Sequence, residues 1–255
     1  MFSRSIGGGV VAADEPTIVA TSMVFQRGGA GPYDWAAGPV YRYAAELART
    51  GGRRPRLCFL GQAGGDDIGS RAAFYAALSA AGFEVSHLAL FPMPNHRDVR
   101  AHLLAQDVIW VGGGSVANMM AVWRVHDLPP VLHEAWQSGV VMGGVSAGSI
   151  CWTLGGTTDS FGPDLRGFTD GLGWLPYANG VHYDAEERRR PLMHRLMREG
   201  VLAPHGYATD NGAGLVFRGT TLAEAIVDRD AAGAYELRRT DDGDVTETPL
   251  PVTRI

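Results

Sequence analysis

Short apolar runs alternate with helix-like segments through most of the chain. The apolar runs lack a regular polar alternation, which is typical of strands that are buried on both faces of a parallel sheet. They predict strands over residues 17–24, 56–60, 83–90, 107–111 and 140–145. The remaining segments predict helices over residues 39–49, 71–81, 97–105, 116–125, 130–137, 147–154 and 187–199. This alternation predicts an α/β fold with helices on both faces of a mostly parallel sheet.

The pattern changes after Gly206. Short apolar runs over residues 214–218, 223–228, 234–238 and 245–250 follow one another, with glycine and aspartate between them. Such closely spaced runs predict an antiparallel extension of the sheet at its C-terminal end. No shift in composition divides the chain, so residues 1–255 are predicted to form a single domain, with residues 1–15 as a loose N-terminal arm.

The composition is that of a globular protein, with 255 residues, 45% hydrophobic residues and a formal net charge of −5. The mild acidity argues against a nucleic-acid partner, which usually meets a basic face. The longest apolar runs are shorter than the roughly 18–20 residues of a membrane helix. The first 30 residues show no secretory signal pattern. We therefore expect a cytoplasmic protein without a membrane partner. The oligomeric state stays open, with a homodimer as one option.

Residue usage excludes several chemistries. All 22 basic residues are arginine, so no lysine can form a Schiff base, anchor pyridoxal phosphate or complete a P-loop. Cys58 and Cys151 lie in apolar stretches and are too few for a zinc site of their own or for a disulfide framework. We expect both to be buried structural thiols. We also expect the protein to need no metal and no cofactor.

The segment Gly144-Val145-Ser146-Ala147-Gly148 follows an apolar strand and precedes a predicted helix. It matches the G-x-S-x-G pattern in the strand–turn–helix context that a nucleophilic serine requires. The serine must stand out on a sharp turn, and the glycines allow the backbone to fold tightly there. The amides at the start of the following helix, that of Ala147 first, would stabilise an oxyanion. The alternative interpretation is a plain glycine-rich turn.

A second glycine turn spans residues 112–115, with the sequence Gly-Gly-Gly-Ser, and ends a predicted strand. Backbone amides at such turns commonly bind anions. The dinucleotide fingerprint G-x-G-x-x-G is not matched, which argues against a nucleotide. If Ser146 is a nucleophile, Gly113 or Gly114 is the candidate for a second oxyanion donor. A purely structural turn is the alternative.

A serine nucleophile needs a base and an orienting acid. Of eight histidines, His182 is the best candidate, because it lies in a short segment downstream of the serine turn and ahead of a helix. Asp210 ends a predicted strand, and Asp159 lies in the loop after the helix that follows the serine turn. The further candidates for the acid are Asp164, Asp170 and Asp184. The local pattern alone does not choose among the five.

Together these segments resemble the serine-peptidase family of aspartyl dipeptidase (peptidase E) and cyanophycinase. The resemblance covers roughly residues 16–238 and is carried by the glycine turn at 112–114, the segment 144–149 and the segment 180–184, Gly-Val-His-Tyr-Asp. It implies a three-layer, flavodoxin-like α/β sandwich related to the class I glutamine amidotransferases, which carry cysteine where this chain has Ser146. One departure is Ser115, which stands where the family commonly has asparagine after the glycine turn.

The resemblance also implies roles for single residues. Ser146 would be the nucleophile, His182 the general base and Asp210 the orienting acid. Asp159 is a secondary candidate, because an acid in the loop after the serine turn has been implicated in the family. The chain order serine–histidine–acid differs from the serine–acid–histidine order of α/β-hydrolases, which disfavours a lipase or esterase of that fold.

By the same resemblance, the substrate is a small peptide, and the expected activity is that of an aspartyl dipeptidase-like exopeptidase acting through an acyl-enzyme. An acidic substrate side chain would need an arginine or histidine, and the arginines at 188–190 follow His182 closely. Asp66 or Asp67 could instead bind a substrate amine. The alternatives are an esterase, amidase or cyanophycinase-like hydrolase on the same residues, and a non-catalytic small-molecule binding module.

Overall fold

The computed structural model describes residues 13–23, 25–29, 34–185 and 187–255. Most of the predicted N-terminal arm, residues 1–12, lies outside the described residues. The strands are Thr17–Thr21 (β1), Gln26–Arg27 (β2), Trp35–Ala36 (β3), Arg56–Leu60 (β4), Glu84–Leu88 (β5), Val108–Val111 (β6), Val141–Val145 (β7), Thr153–Thr158 (β8), Arg166–Phe168 (β9), Leu175–Val181 (β10), His205–Thr209 (β11), Ala213–Arg218 (β12), Thr221–Val227 (β13), Ala234–Arg239 (β14), Val245–Pro249 (β15) and Val252–Arg254 (β16). The helices are Pro39–Leu47 (α1), Ile68–Ala80 (α2), Val99–Leu104 (α3), Val116–Val125 (α4), Leu128–Gln137 (α5), Ala147–Ile150 (α6) and Arg189–Arg198 (α7), and a 3₁₀ turn spans Gln62–Gly64.

The larger sheet has eight strands in the order β16-β13-β12-β1-β7-β6-β4-β5. The five strands from β1 to β5 in this order pair in parallel, and β12 and β13 add antiparallel strands beside β1. Side chains along β4 alternate between two apolar clusters, with Leu57 and Phe59 in one and Cys58 and Leu60 in the other. The sheet is therefore buried on both faces, as the unbroken apolar runs predict.

Helices cover both faces of this sheet. On one face, α1 and α2 contribute Tyr41 and Phe74 to the cluster that holds Leu57 and Phe59. On the other face, α4 and α5 contribute residues such as Met119 to the second cluster. The result is a helix–sheet–helix sandwich, which confirms the predicted three-layer α/β class.

A second sheet has six strands in the order β15-β14-β11-β10-β8-β9. Helix α7 packs on one face through Met193 and Met197, and the other face joins the second cluster of the larger sheet through Val181 and Tyr207. The C-terminal strands are antiparallel as predicted, but they divide between the two sheets. The reason is that β11 offers its own edge, where β14 and then β15 pair.

The helix predicted over residues 147–154 is shorter in the structure. It ends at Ile150 and is followed by β8, which carries Gly155, Gly156 and three threonines. A Cβ at Gly155 would lie 1.8 Å from the Phe168 carbonyl oxygen, and one at Gly156 would lie 1.9 Å from that of Asn179. The glycines therefore allow neighbouring backbone to approach closely, and β-branched threonine favours the strand.

Both cysteines are free and buried, which confirms the prediction of structural thiols. Burial raises the pKa of the Cys58 thiol to about 12 and holds the pKa of the Cys151 thiol well above its usual value. Both thiols are therefore protonated near neutral pH and are poor nucleophiles.

Asp107 fastens the start of β6 to the segment that leads into β4. Its side chain is fully buried and accepts hydrogen bonds from Arg53 Nη1 at 2.6 Å and from the Arg56 backbone nitrogen at 2.7 Å. We expect Asp107→Ala to lower the free energy of unfolding by about 2–3 kcal/mol, because hydrogen bonds to a charged group are lost and the half-buried Arg56 amide is left unpaired. Urea unfolding followed by circular dichroism measures this change.

Asp14→Ala is the matched control, because Asp14 also pairs with an arginine, Arg49, but both side chains are more than half exposed. Exposed ion pairs contribute little to stability. Equal losses in the two variants would contradict the role given to Asp107.

Candidate active site

Ser146 lies on a sharp turn between β7 and α6. Its φ is 59° and its ψ is −113°, a conformation that is unfavourable for a residue with a side chain. Its backbone nitrogen donates to the Thr21 carbonyl oxygen at 3.1 Å, so the turn is held against β1. The strand–turn–helix context predicted for this serine is present, and strain of this kind persists where the surrounding structure imposes it.

The two glycines of the turn are required by close backbone contacts. A Cβ at Gly144 would lie 2.3 Å from the Gly148 carbonyl oxygen, and a Cβ at Gly148 would lie 2.3 Å from the Val111 carbonyl oxygen. Both distances are far below van der Waals contact, so any side chain would force the turn open. The glycines thus let the Ser146 turn pack directly on the end of β6.

The second glycine turn packs beside Ser146. A Cβ added to Gly113 would lie 3.3 Å from the Ser146 Cβ and 3.9 Å from its Oγ. The amides of Gly113, Gly114 and Ala147 have no hydrogen-bond partner among the described residues, whereas the Gly112 amide donates to the Leu60 carbonyl. The structure therefore places Gly113 and Ala147 beside Ser146, and the N–H groups of all three sequence-predicted oxyanion donors are available within the described residues.

His182 follows the last residue of β10 and reaches the site from the second sheet. Its backbone nitrogen donates to Ser22 Oγ at 3.0 Å, and that hydroxyl is 2.7 Å from Thr209 Oγ1. Its Nδ1 makes a short hydrogen bond with Asn211 Oδ1. An amide oxygen can only accept, so Nδ1 carries the proton and Nε2 is left as the acceptor.

Asp210, the predicted orienting acid, makes no hydrogen bond to the imidazole in this structure, where Nδ1 bonds Asn211 instead. Its Oδ2 accepts hydrogen bonds from the Gly233 amide and the Tyr235 hydroxyl, each at 3.0 Å. Its Oδ1 is buried without a hydrogen-bond partner among the described residues. Burial raises the pKa of this carboxyl above its usual value. The β14 segment therefore engages the carboxylate, and the next residue, Asn211, takes the place beside His182.

Asp159, the secondary candidate, is exposed and lies 3.9 Å from Arg189 across an ion pair. Its charge acts on His182 only from a distance: Asp159 favours the protonated imidazole and raises its pKa, whereas Arg189 lowers it. Asp159 thus influences the electrostatics of the histidine without contacting it through a hydrogen bond in this structure.

The pKa of His182 is lowered from its ordinary value, chiefly because burial disfavours the charged imidazole. The hydrogen bond to Asn211 acts in the opposite direction and raises the pKa. The net result is an imidazole that is neutral near pH 7, which is the state a general base requires.

Ser146 and His182 line one cavity of about 470 Å³, together with Gly113 and Val145. Within the described residues, no hydrogen bond joins the serine hydroxyl to the imidazole. Such bonds often form only when substrate is bound. Residues separated by 36 positions in the chain and carried by different sheets therefore share one solvent-accessible space.

Asp66 and Asp67 are neighbours in the chain, but only Asp67 lines the cavity. Asp67 lines it and is exposed, and its Oδ2 accepts from the Ser70 amide at 2.6 Å, which lowers the pKa of the carboxyl. Asp66 is buried and accepts from the amides of Leu90 and Phe91 at 2.7 and 3.1 Å, so it has a structural role.

The three arginines near His182 are engaged elsewhere. Arg190 lies over the rings of Tyr183 and Tyr235, at 4.6 and 4.7 Å from their centroids, and pairs with Glu247. Arg189 donates to the Thr157 carbonyl oxygen at 3.1 Å, and Arg188 lines a different cavity. Among the described residues that line the Ser146 cavity, the one cation is Arg27.

Sequence reasoning missed Asn211 and the wall of the cavity. Asn211 directly follows Asp210. Because an amide can orient an imidazole, as in Cys-His-Asn enzymes, both residues of this pair were candidates for the group that orients His182. The wall is built largely from aromatic residues of separate elements, which no local motif reveals.

Over the part of the chain that the structure describes, no helix is long and apolar enough to cross a membrane. Over the same residues, no group of three or more histidine, cysteine, aspartate or glutamate side chains is placed to hold a metal ion.

Sequence comparison identifies the family. The model of peptidase family S51 matches residues 43–225, which is more than half of the chain. The chain is also 40% identical over 199 residues to a Bacillus subtilis (strain 168) protein named "Uncharacterized peptidase YgaJ", covering 78% of this chain and 84% of that protein. The fold and the serine turn thus belong to a serine-type peptidase, a hydrolase. The chain belongs to peptidase family S51.

Solved structures share the fold at low sequence identity. A peptidase from an acI-B1 Actinobacterium superposes with a TM-score of 0.67 at 16% identity, covering 93% of this chain and 95% of the other. A protein proposed to be a peptidase E, from Listeria monocytogenes EGD-e, superposes with a TM-score of 0.56 at 15% identity, covering 81% and 96%. These similarities support the fold, and the sequence matches support the family.

We expect the acid limb of the kcat/KM profile to lie below pH 6.5, because the lowered pKa of His182 keeps the imidazole neutral in more acidic solution. Asn211→Ala removes a contact that raises this pKa, so the limb should move to still lower pH. The plateau should fall about 100-fold, because the ring is no longer oriented. Initial rates across pH measure both effects.

Asp210→Asn is the matched control, because the amide oxygen can still accept from Tyr235. It should keep the wild-type plateau and pH limb. A large loss in Asp210→Asn together with full activity in Asn211→Ala would overturn the assignment of Asn211 and restore Asp210.

Gly113→Ala should lower kcat roughly 10- to 100-fold, because the added methyl group crowds the Ser146 side chain. Steady-state kinetics with thermal unfolding as a fold check measure this effect. Gly64→Ala serves as the control, since its Cβ would meet only the Gly113 carbonyl oxygen, at 3.8 Å. Equal losses of kcat in the two variants would argue against a special position for Gly113.

Proposed function

We propose that this serine peptidase is an exopeptidase that hydrolyses short peptides, with Ser146 as the nucleophile and His182 as the general base. One observation carries the proposal. Ser146 and His182 reach the same cavity from two different sheets, and Asn211 binds the imidazole so that Nε2 is the accepting nitrogen. A binding module has no need of this arrangement.

In the proposed reaction, Ser146 Oγ attacks the carbonyl carbon of the scissile peptide bond while His182 Nε2 takes its proton. The peptide C–N bond then breaks, and the imidazolium returns the proton to the leaving amine. A water molecule attacks the resulting ester, again giving its proton to His182, and the acid leaves with Ser146 restored. Asn211 keeps the ring orientation through both steps.

The negative charge that develops on the carbonyl oxygen needs donors nearby. The amide of Ala147 lies at the start of α6, and those of Gly113 and Gly114 belong to the turn that packs beside Ser146. Their lack of other partners among the described residues supports this role. The strained turn then serves as a nucleophile elbow that exposes Ser146 to the substrate.

Asp67 supports an exopeptidase that acts at the amino terminus. Its carboxylate lines the cavity, and its hydrogen bond to the Ser70 amide favours the charged form. A peptide whose first residue occupies the cavity presents a free ammonium group, which an aspartate can bind. Of the two aspartates singled out in the sequence, only Asp67 is available for this contact.

The family resemblance implies aspartyl substrates, and such a preference would require a cation in the cavity. Arg27 is the candidate among the described lining residues, and it is exposed. The arginines at 188–190 do not support this role, because they do not line the cavity and they contact Thr157, Glu247 and Asp164.

Ser146→Ala should lose on the order of 10³- to 10⁶-fold in turnover, as in other serine triads. The test incubates wild type and variant with dipeptides that begin with Asp, β-Asp, Glu, Ala and Phe, and with their N-acetylated forms, and quantifies released amino acids. Free dipeptides should be cleaved by the wild type alone, and acetylation should slow cleavage because Asp67 loses its ammonium partner.

Ser79→Ala is the control, since Ser79 is exposed in α2 and does not line the cavity. It should retain activity when circular dichroism shows a native fold. Equal turnover by wild type and Ser146→Ala would exclude Ser146 as the nucleophile. If the wild type hydrolyses esters but not peptides, and Ser146→Ala loses that activity, the protein is an esterase on the same residues.

A further inference from the structure

Aromatic side chains form most of the wall of the Ser146 cavity. They are Phe25, Trp35, Tyr41, Phe59, Phe74 and Trp110. Their rings pack on one another, with centroids 4.2 Å apart for Phe59 and Phe74 and 4.6 Å apart for Tyr41 and Trp110. The six come from β3, α1, β4, α2, β6 and the segment before β2, so the fold gathers them from across the N-terminal half.

The inner part of this wall is set in the core. Tyr41 and Phe74 are 2% exposed, and Trp110 is 1% exposed. A Cβ at Gly143 would lie 2.6 Å from the Trp110 ring, so glycine in β7 gives that ring its place. Packing therefore fixes these rings before any ligand arrives, which lowers the entropy cost of binding.

Charge and exposure change toward the mouth of the cavity. Of the described lining residues, Arg27 and Asp67 carry a charge near neutral pH, and both are exposed. Trp35 is 42% exposed and stacks on Phe25 at a centroid distance of 5.2 Å. A ligand that enters past Trp35 thus meets charge at the rim and aromatic surface inside.

The difference between the charged rim and the aromatic interior determines which substrate side chain the cavity can bind. A carboxylate moved into the aromatic interior would lose its hydration without gaining a partner there. An aromatic side chain would instead gain apolar contact and ring-on-ring packing. The volume of about 470 Å³ lies in the ordinary range of small-molecule pockets.

We infer that the cavity beside Ser146 is the specificity pocket for the residue whose carbonyl is attacked, and that it takes a large aromatic side chain. The substrates are then short peptides that begin with Phe, Tyr or Trp. The aromatic ring lies against Phe25 and Trp35, the accessible rings of the wall, and the ammonium group lies at the rim near Asp67. This inference rests on the proposed peptidase activity of Ser146.

The first test measures kcat/KM of the wild-type protein for X-Gly dipeptides, with Phe, Tyr, Leu, Ala, Asp and Glu as X. We expect Phe-Gly and Tyr-Gly to exceed Ala-Gly and Asp-Gly by about 100-fold or more, because a hydrophobic pocket discriminates roughly 10- to 200-fold for a single methylene. Equal rates for Phe-Gly and Ala-Gly, or a preference for Asp-Gly, would overturn the inference.

The second test uses Trp35, whose exposure makes its replacement tolerable for the fold. Trp35→Ala should lower the ratio of kcat/KM for Phe-Gly over Ala-Gly roughly 5- to 10-fold, and Trp35→Phe should restore most of it. Phe161→Ala is the matched control, because Phe161 is 52% exposed and does not line this cavity. An unchanged ratio in Trp35→Ala would contradict the aromatic pocket.

Ser146→Ala in the same panel separates two kinds of failure. Hydrolysis that depends on Ser146 but favours acidic or small residues keeps the proposed function and rejects the aromatic pocket. No hydrolysis by the wild type, or hydrolysis that survives in Ser146→Ala, rejects the proposed function and the inference with it. An aromatic preference that disappears in Ser146→Ala supports both.

Discussion

The direct contact between the Ser146 turn and the end of β6 is the constraint on which the site depends. Gly148 lies so close to the Val111 carbonyl oxygen that a methyl group has no room. The glycine turn that contains Gly113 begins one residue after Val111. The same contact therefore sets the position of Ser146 relative to Gly113, and the serine and its neighbouring amides form one rigid unit of the larger sheet.

The backbone that carries His182 is joined to this unit through hydrogen bonds between the two sheets. Ser22, just after β1, accepts from the His182 amide and contacts Thr209 at the end of β11. Asn179 of β10 donates to Ser149 in the helix that follows the serine. These buried polar contacts fix the register between the sheets, because leaving any of the groups unpaired would cost stability. The relative position of Ser146 and His182 is thus a property of how the sheets are joined.

The features predicted correctly are those that a short stretch of sequence determines. Apolar runs such as Arg56–Leu60 and the helix Val116–Val125 have the predicted bounds, and the serine turn has its predicted context. Contacts between segments that are distant in the chain could not be predicted from such local patterns. Asp210 and Asn211 are neighbours in the chain, and only the hydrogen bonds from Gly233 and Tyr235 reveal that Oδ2 of Asp210 bonds to the β14 segment. The division of the C-terminal strands between two sheets likewise depends on the edge of β11, which carries no local signal.

The origin of the cavity wall has a consequence for how relatives of this chain can diverge. The aromatic rings come from α1, α2, β3, β4, β6 and the segment before β2, whereas Ser22 and Asn211 bind the backbone and the imidazole of His182. Replacing one of these rings therefore leaves the hydrogen bonds that position His182 unchanged. Selection can therefore alter which substrates such an enzyme accepts while preserving the groups around the bond, and new preferences can arise by exchanging a few aromatic side chains in the N-terminal half of the chain.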